Sequence, residues 1–452
     1  MQRAGLAVAR LALAVAPHAR TIWVACGPGN NGGDGLEAAM HLQSWGKHPI
    51  VTWLGNPANA PADAAASHQR ALAAGVSFAD TPPQHHDLCI DALLGIGASR
   101  APDGRMAEWI TQINAGTAPV LAVDLPSGLN ADTGHAPGVT VQAQFTLSLL
   151  TLKPGLFTAQ GRDAAGDIWL DQLGVTHGAQ SPPPTACLCG PPTSASRPHA
   201  SHKGSYGDVA VLGGAPGMTG AALLAASAAL HGGTGRVFVG LLDGGSMNVD
   251  VQQPELMFRP VNALDLKAMT VVCGCGGGDA VRSVLARTLS TAARLVIDAD
   301  ALNAIAADSQ LQTLLTTRGQ RGYPTVLTPH PLEAARLLGT TTAQVQSDRL
   351  TAAQELASRF NCVVVLKGSG TVIAAPGQLT ALNPSGNARL ATAGTGDVLA
   401  GMIGARLAAG LPAFEATCKA VYRHGRAADR WPHDQPLTAG ALAKLASGTT
   451  EN

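Results

Sequence analysis

The run Ala391-Thr392-Ala393-Gly394-Thr395-Gly396-Asp397-Val398-Leu399-Ala400-Gly401 sets a carboxylate behind a glycine turn and at the head of an apolar helical pattern. Gly394 and Gly396 let the backbone turn tightly and approach a ligand, so the free N–H groups that open the helix can face a phosphate. Asp397, in that first turn, has acceptor oxygens and no donor, which suits a base that takes a proton from a hydroxyl beside the phosphate. An acidic residue also sits well at any helix start, so the surrounding sequence must decide. Upstream, Val363-Val364-Val365-Leu366 reads as a buried strand opening into the basic turn Lys367-Gly368-Ser369-Gly370-Thr371, followed by the neutral run Asn383-Pro384-Ser385-Gly386-Asn387. These segments together are expected to form a nucleotide-phosphate site.

A second group lies near the start. The apolar run 21–26 reads as a buried strand, Gly27-Pro28-Gly29-Asn30-Asn31-Gly32-Gly33-Asp34-Gly35 as a loop, and 36–45 as a helix. Gly27, Gly29 and Gly32 satisfy the Gly-x-Gly-x-x-Gly dinucleotide fingerprint. The next strand, 49–54, ends in Gly55-Asn56-Pro57, with no carboxylate for a ribose, and the Asn-Asn pair and Asp34 are more polar than that fingerprint needs. Asp91, in Leu88-Cys89-Ile90-Asp91-Ala92-Leu93-Leu94-Gly95-Ile96-Gly97, and Asp124, in Val120-Leu121-Ala122-Val123-Asp124-Leu125-Pro126-Ser127-Gly128, each stand at a strand end. Any one could cap a loop, but parallel sheets gather ligand groups at the carboxyl ends of their strands, so the Asn30 loop, Asp91 and Asp124 are expected in one crevice. Their Asn, Asp and Ser oxygens suit a hard cation.

The elements that position these groups alternate between strand and helix. The second half opens on a strand at 208–212, the loop Gly213-Gly214-Ala215-Pro216-Gly217-Met218-Thr219-Gly220 and a helix at 221–230; strands follow at 236–241, 269–273, 295–298, 325–328 and 362–366. Such alternation predicts a layered α/β fold. Val272-Cys273-Gly274-Cys275-Gly276-Gly277-Gly278-Asp279, Asp298-Ala299-Asp300 and Thr328-Pro329-His330-Pro331-Leu332-Glu333 add further polar strand ends. From Leu173 to His199 periodicity is weak and proline frequent, which marks a linker at 176–199 between domains 1–175 and 200–452.

With 452 residues, each domain can bury a full core. Only 13% of residues are charged, Lys plus Arg balance Asp plus Glu at 30 each, and no long basic run occurs, so nucleic acid and acidic membranes are not expected partners. No apolar run approaches the roughly 20 residues of a membrane span. Residues 1–16 could pass for a secretory signal, but Arg10 interrupts the apolar stretch and the pattern fits a helix ending before Pro17. Eight cysteines are too sparse for a disulfide scaffold, and a reduced, cytoplasmic chain is expected. Cys187-x-Cys189 and Cys273-x-Cys275 are spaced too closely for zinc half-sites.

Taken with these motifs, residues 1–175 resemble the YjeF N-terminal type of NAD(P)H-hydrate epimerase domain, which is Rossmann-like and three-layered. The resemblance implies that Asn30, Asn31, Gly32, Gly33 and Asp34, the loop Gly95, Ile96, Gly97, Ala98, Ser99, Arg100 and Ala101, and Asp124 contact the hydrated nicotinamide nucleotide. It also implies that Asn31, Asp91 and Ser127 bind potassium and that Asp124 does acid/base work at the epimerised carbon. That family usually carries a further helical segment before its Met-x-x-Ala-Gly stretch, so a shortened start is expected at Met1-Gln2-Arg3-Ala4-Gly5. Residues 200–445 resemble the ADP/ATP-dependent NAD(P)H-hydrate dehydratases, which are ribokinase-like. Here the resemblance implies that Lys367, Gly368, Ser369, Gly370, Thr371 and Gly396 hold ADP or ATP. Ala221, Gly276 or Gly278, His330 and Asp397 would line the hydrate pocket. Leu332 stands where that family usually has glycine, and Cys275 where it has proline.

The implied chemistry is a repair sequence. Hydroxide leaves the hydrated ring poorly; as a phosphate ester it leaves well, so Asp397 would take the hydroxyl proton while the Gly394–Gly396 amides and magnesium stabilise the transferring phosphoryl group. A homo-oligomer is expected. Two rivals remain: a vitamin-precursor kinase of the same fold that stops at the phosphorylated alcohol, and an N-terminal half that only binds or assembles.

Overall fold

The computed structural model describes residues 1–445 apart from 98–99, 177, 179–180 and 193–197. The chain divides into two compact units, Met1–Pro183 and Pro184–Asn452.

The first unit is built on β1 (Thr21–Cys26), β2 (His48–Trp53), β3 (Ser77–Phe78), β4 (Leu88–Ala92), β5 (Val120–Val123), β6 (Phe145–Leu149) and β7 (Asp167–Asp171). All pair in parallel, in the order β3-β2-β1-β4-β5-β6-β7. β4 and β5 are buried throughout, which is why they read as continuous apolar runs. Side chains alternate between faces. Ile22, Val24 and Cys26 pack with helices Gln2–Val15, Asn30–Ser44 and Ala62–Ala73, while Trp23 and Ala25 pack with Trp109, Ile110 and Ile113 of helix Gly104–Ala115. The result is the three-layer α/β arrangement expected. The order reverses between β1 and β4, and a ligand crevice belongs at the carboxyl ends there.

One element differs from the sequence reading. The helix after β1 begins at Asn30, so most of the presumed loop is its opening turns. Its glycines serve close packing: a Cβ on Gly32 would lie 2.0 Å from the Gly27 carbonyl oxygen, and one on Gly35 2.6 Å from Ala92 Cβ. Glycine is a poor helix former, and the turn carries no apolar periodicity before Leu36, so the true start was hidden.

The second unit holds β8 (Ala186–Leu188), β9 (Asp208–Gly213), β10 (Arg236–Leu241), β11 (Met257–Phe258), β12 (Thr270–Cys273), β13 (Arg294–Ile297), β14 (Thr325–Leu327), β15 (Val363–Leu366), β16 (Val372–Ala374) and β17 (Thr380–Leu382). The order is β11-β10-β9-β12-β13-β14-β15-β16-β17-β8. Pairing is parallel from β11 to β15 and antiparallel from β15 to β17. β8 lies inside the presumed linker, yet it pairs in parallel with β17. Three residues give no readable alternation, whereas the flanking prolines read strongly.

Helix Thr395–Ala408, which carries Asp397, lies backbone to backbone against helix Thr219–His231. A Cβ on Gly401 would stand 2.0 Å from the Ala225 carbonyl oxygen, and one on Gly404 2.6 Å from Val272 Cγ2. On the other side His424, in helix Ala413–Asp429, donates its Nε2–H to the Thr395 carbonyl at 2.9 Å. Burial pushes its ring down to about 4, so it stays neutral.

Gly401→Ala should lower unfolding stability by about 3 kcal/mol in chemical denaturation, since the new methyl must displace backbone; an unchanged midpoint would contradict the packing described. His424 protonates near 6.5 when unfolded and about 4 when folded, so the unfolded chain binds the extra proton between those values. Stability should therefore fall as pH drops through that window, by up to about 3 kcal/mol from this group. In His424→Gln, which retains a donor but cannot titrate, the fall should be smaller by that amount; equal pH slopes would acquit the histidine.

Candidate active sites

In the first unit the crevice is built from the ends of β1, β4 and β5. Asp91 is fully buried: Oδ1 accepts from Ser127 Oγ at 2.6 Å and from the Leu93 amide at 3.2 Å, and Oδ2 from the Ser127 amide at 2.8 Å. Ser127 Oγ also accepts the Leu94 amide at 2.8 Å, and Asn31 Nδ2 donates to the Leu94 carbonyl at 2.9 Å. Asn31, Asp91 and Ser127 thus form one network. Asp91's hydrogen-bond partners are all neutral, and burial pushes its carboxyl up to about 6 against the opposing pull of Ser127. A buried carboxylate among neutral oxygens is a donor set that fits a hard cation.

Asp124 follows β5 in the left-handed region, at φ 71°, a conformation that costs a non-glycine residue about 1–3 kcal/mol. Two anchors hold it there. Its amide donates to the Leu147 carbonyl at 2.8 Å, and its Oδ1 accepts the Leu149 amide at 3.1 Å and pairs with Lys153 Nζ. Asp34 projects from the opening of helix Asn30–Ser44. Burial pushes its carboxyl up to about 7, the Met1 amino group opposes this, and Asp124 and Glu37 add to it. Gly32 and Gly33 are buried beneath, and Asn30 is exposed. Gly95 lies against Asn31, where a Cβ would be 3.3 Å from Asn31 Cβ. Ile96, Gly97, Arg100 and Ala101 are exposed, and residues 98 and 99 lie outside the described residues.

In the second unit the ends of β12, β13, β14 and β15 converge on Asp397. Asp298 Oδ1 accepts both Thr328 Oγ1 and Lys367 Nζ at 2.7 Å. Burial would lower the Lys367 ammonium, but Asp298 and Glu333 raise it above its ordinary value. Asp397 is pushed up to about 6 by burial and by Asp298, with Cys275 and Lys367 pulling the other way. A Cβ on Gly396 would stand 3.3 Å from Lys367 Nζ, so the glycine keeps the ammonium beside the helix start.

Gly368 (φ 129°) and Gly370 (φ 62°) shape the turn after β15. Arg349, 1% exposed, braces it by donating to the Leu366 and Lys367 carbonyls at 3.1 Å. Ser369 is exposed, and Thr371 Oγ1 donates to the Gly368 carbonyl at 3.3 Å. Gly276 (φ 57°) adjoins Ala221, with 2.8 Å between a Cβ there and Ala221 Cβ; the Gly278 amide donates to Asp300 Oδ2 at 2.8 Å. His330 caps helix Pro331–Leu338. Its Nδ1 accepts the Leu332 amide at 3.1 Å, and its own amide donates to Glu333 Oε2 at 2.8 Å.

Sequence reasoning missed Lys153, Arg349 and His424. Lys153 carried a usable signal, a lone cation just past a strand in Leu152-Lys153-Pro154-Gly155. The other two sit in ordinary helical patterns.

Comparison with known proteins follows the same division. Residues 1–155 match the family of the YjeF-related protein N-terminus, and residues 209–451 match the NAD(P)H-hydrate dehydratase family. The bifunctional NAD(P)H-hydrate repair enzyme Nnr of Escherichia coli K12 is 36% identical, over 95% of this chain and 84% of its own. The ADP-dependent (S)-NAD(P)H-hydrate dehydratase of Neisseria meningitidis is 46% identical over 55% of this chain and 85% of its own. The crystal structure of the ADP/ATP-dependent NAD(P)H-hydrate dehydratase of Bacillus subtilis, co-crystallised with ATP/Mg2+, is 31% identical and covers 56% of this chain and 92% of its own, with a TM-score of 0.47. With both matches in the same order as its two units, this chain belongs to the family of bifunctional NAD(P)H-hydrate repair enzymes.

Proposed function

We propose that the first domain interconverts the R and S hydrates of NADH and NADPH through Asp124, and that the second returns the S hydrate to NAD(P)H by a nucleotide-dependent dehydration in which Asp397 is the base. The observation that carries this is the setting of Asp397, half-buried at a helix start beside Gly396, Lys367 and Asp298.

Inversion requires the ring C–O bond to break and re-form on the opposite face, with an acid to protonate the departing hydroxyl and a base for the incoming water. Asp34, pushed up to about 7, is suited to hold the proton, and Asp124, paired with Lys153, to accept one. Asn31 Oδ1, Asp91 and Ser127 would hold potassium, which would supply the countercharge Asp91 lacks among its hydrogen-bond partners.

In the second domain Asp397 takes the proton of the substrate hydroxyl as oxygen attacks the terminal phosphoryl group of ADP or ATP. The amides from Gly394 to Gly396 and the Lys367 ammonium receive the charge that develops. Elimination of phosphate then restores the dihydronicotinamide ring. Magnesium, held by nucleotide phosphates and Asp298, would neutralise phosphoryl charge. The 367–371 turn fits the phosphates, and Ala221, Gly276, Gly278 and His330 would face the hydrated ring. We further propose a cytoplasmic homo-oligomer; its thiols are all free, and among the described residues no helix is long and apolar enough to cross a membrane.

With separated epimers as substrates, Asp397→Asn should lose dehydration by about 10²–10⁴-fold while exchange of epimers continues, and Asp124→Asn should do the reverse. A stable phosphorylated alcohol in place of released phosphate and regained NADH absorbance would favour a kinase instead. For dehydration, kcat/KM should fall as pH drops through about 6, because the base must be ionised to act; a profile flat from 7 to below 5 would exclude Asp397 from the role.

A further inference from the structure

We propose that Cys275, Asp298 and Asp397 form a site for a thiophilic divalent cation of the zinc and cadmium class, and that such an ion, by occupying the catalytic base, arrests dehydration. The arrest rests on the role given to Asp397 above; the binding does not.

The three residues come from separate elements. Cys275 lies beyond β12, Asp298 directly follows β13, and Asp397 opens helix Thr395–Ala408. One donor atom from each, a thiol sulfur and two carboxylate oxygens, lies within 4.8 Å of the other two. Around zinc, sulfur sits at about 2.3 Å and carboxylate oxygen at about 2.0–2.2 Å, so neighbouring ligands stand some 3–4 Å apart. Small side-chain rotations close the difference. The ligand atoms are also available. Thr328 and Lys367 both engage Asp298 Oδ1, while Oδ2 faces Gly396, 3.9 Å from where a Cβ would stand.

Charge and softness point the same way. Asp298 and Asp397 face the Lys367 ammonium, and Asp300 and Glu333 act on the same groups, so the cluster carries surplus negative charge. Binding of a dication displaces the thiol proton to solvent, and the ion's two charges offset part of that surplus and the new thiolate. Sulfur distinguishes the site from one for magnesium or potassium, whose ligands are oxygens. The Cys275 side chain is wholly buried and turned toward Asp397, not toward bulk water. Three protein ligands leave a fourth position for water or a phosphate oxygen.

The test titrates the full-length chain with cadmium alone and reads the ultraviolet thiolate-to-cadmium charge-transfer band, then measures dehydration and epimer exchange on the same samples, each normalised to its own metal-free rate. A band should appear and dehydration should fall, with recovery on chelation, while epimer exchange is untouched. In Cys275→Ala, and in Cys275→Ser should the alanine variant fold poorly, the site has no thiolate, so the band should be lost and cadmium should no longer arrest dehydration at the concentrations that stop the parent chain. Absence of the band in the parent chain, or a band kept in Cys275→Ala but lost in Cys418→Ala, would overturn the site. A Cys275-dependent band with undiminished dehydration would support the metal site and count against Asp397 as the base.

Discussion

Taking charge out of water at the strand ends is the constraint on which the second domain turns. Asp298 is 1% exposed, and it is tolerable there because Lys367 and Thr328 both reach the same oxygen. Breaking such a pair leaves an uncompensated buried charge and costs several kcal/mol. The pair also contributes to the field felt by Asp397, whose carboxyl is raised first by burial and then by Asp298, and is restrained by the Lys367 ammonium. Geometry, protonation and phosphate attraction are therefore one arrangement. The first domain solves its version differently, giving Lys153 to Asp124 and only neutral hydrogen bonds to Asp91.

Small residues make this precision possible. The chain has 53 glycines and few charges, and the alanine face of helix Thr219–His231 lets helix Thr395–Ala408 settle at backbone contact. Helices packed so closely have little freedom to slide, because protein interiors are dense and side chains interlock. Asp397 is held by that packing on one side and by the His424 bond to Thr395 on the other.

Much of the architecture was legible because parallel strands buried on both faces leave unbroken apolar runs, as at Val363–Leu366, and because glycine turns at their ends stand out. Groups near those ends, Asp91, Asp124 and Lys367, were picked out for the same reason, and Asp397 by the glycine turn that opens its helix. Arg349 and His424 were not, since a buried cation bracing two carbonyls and a neutral ring donating to one look like ordinary helical residues until the distant partner is known. Asn30 as a helix start was obscured by glycines whose purpose is tight packing, and β8 by its three-residue length.

The pairing of β8 with β17 bears on how the two catalytic halves can be separated. The dehydratase family match begins only at residue 209, yet the sheet it describes is flanked by a strand at 186–188. A fragment started at residue 200 would strip that outer strand and bare the hydrogen-bonding groups of β17, an open template for pairing with other chains. Cleavage or recombinant division just before Pro184 keeps β17 paired and leaves only the three-residue β8 at that edge.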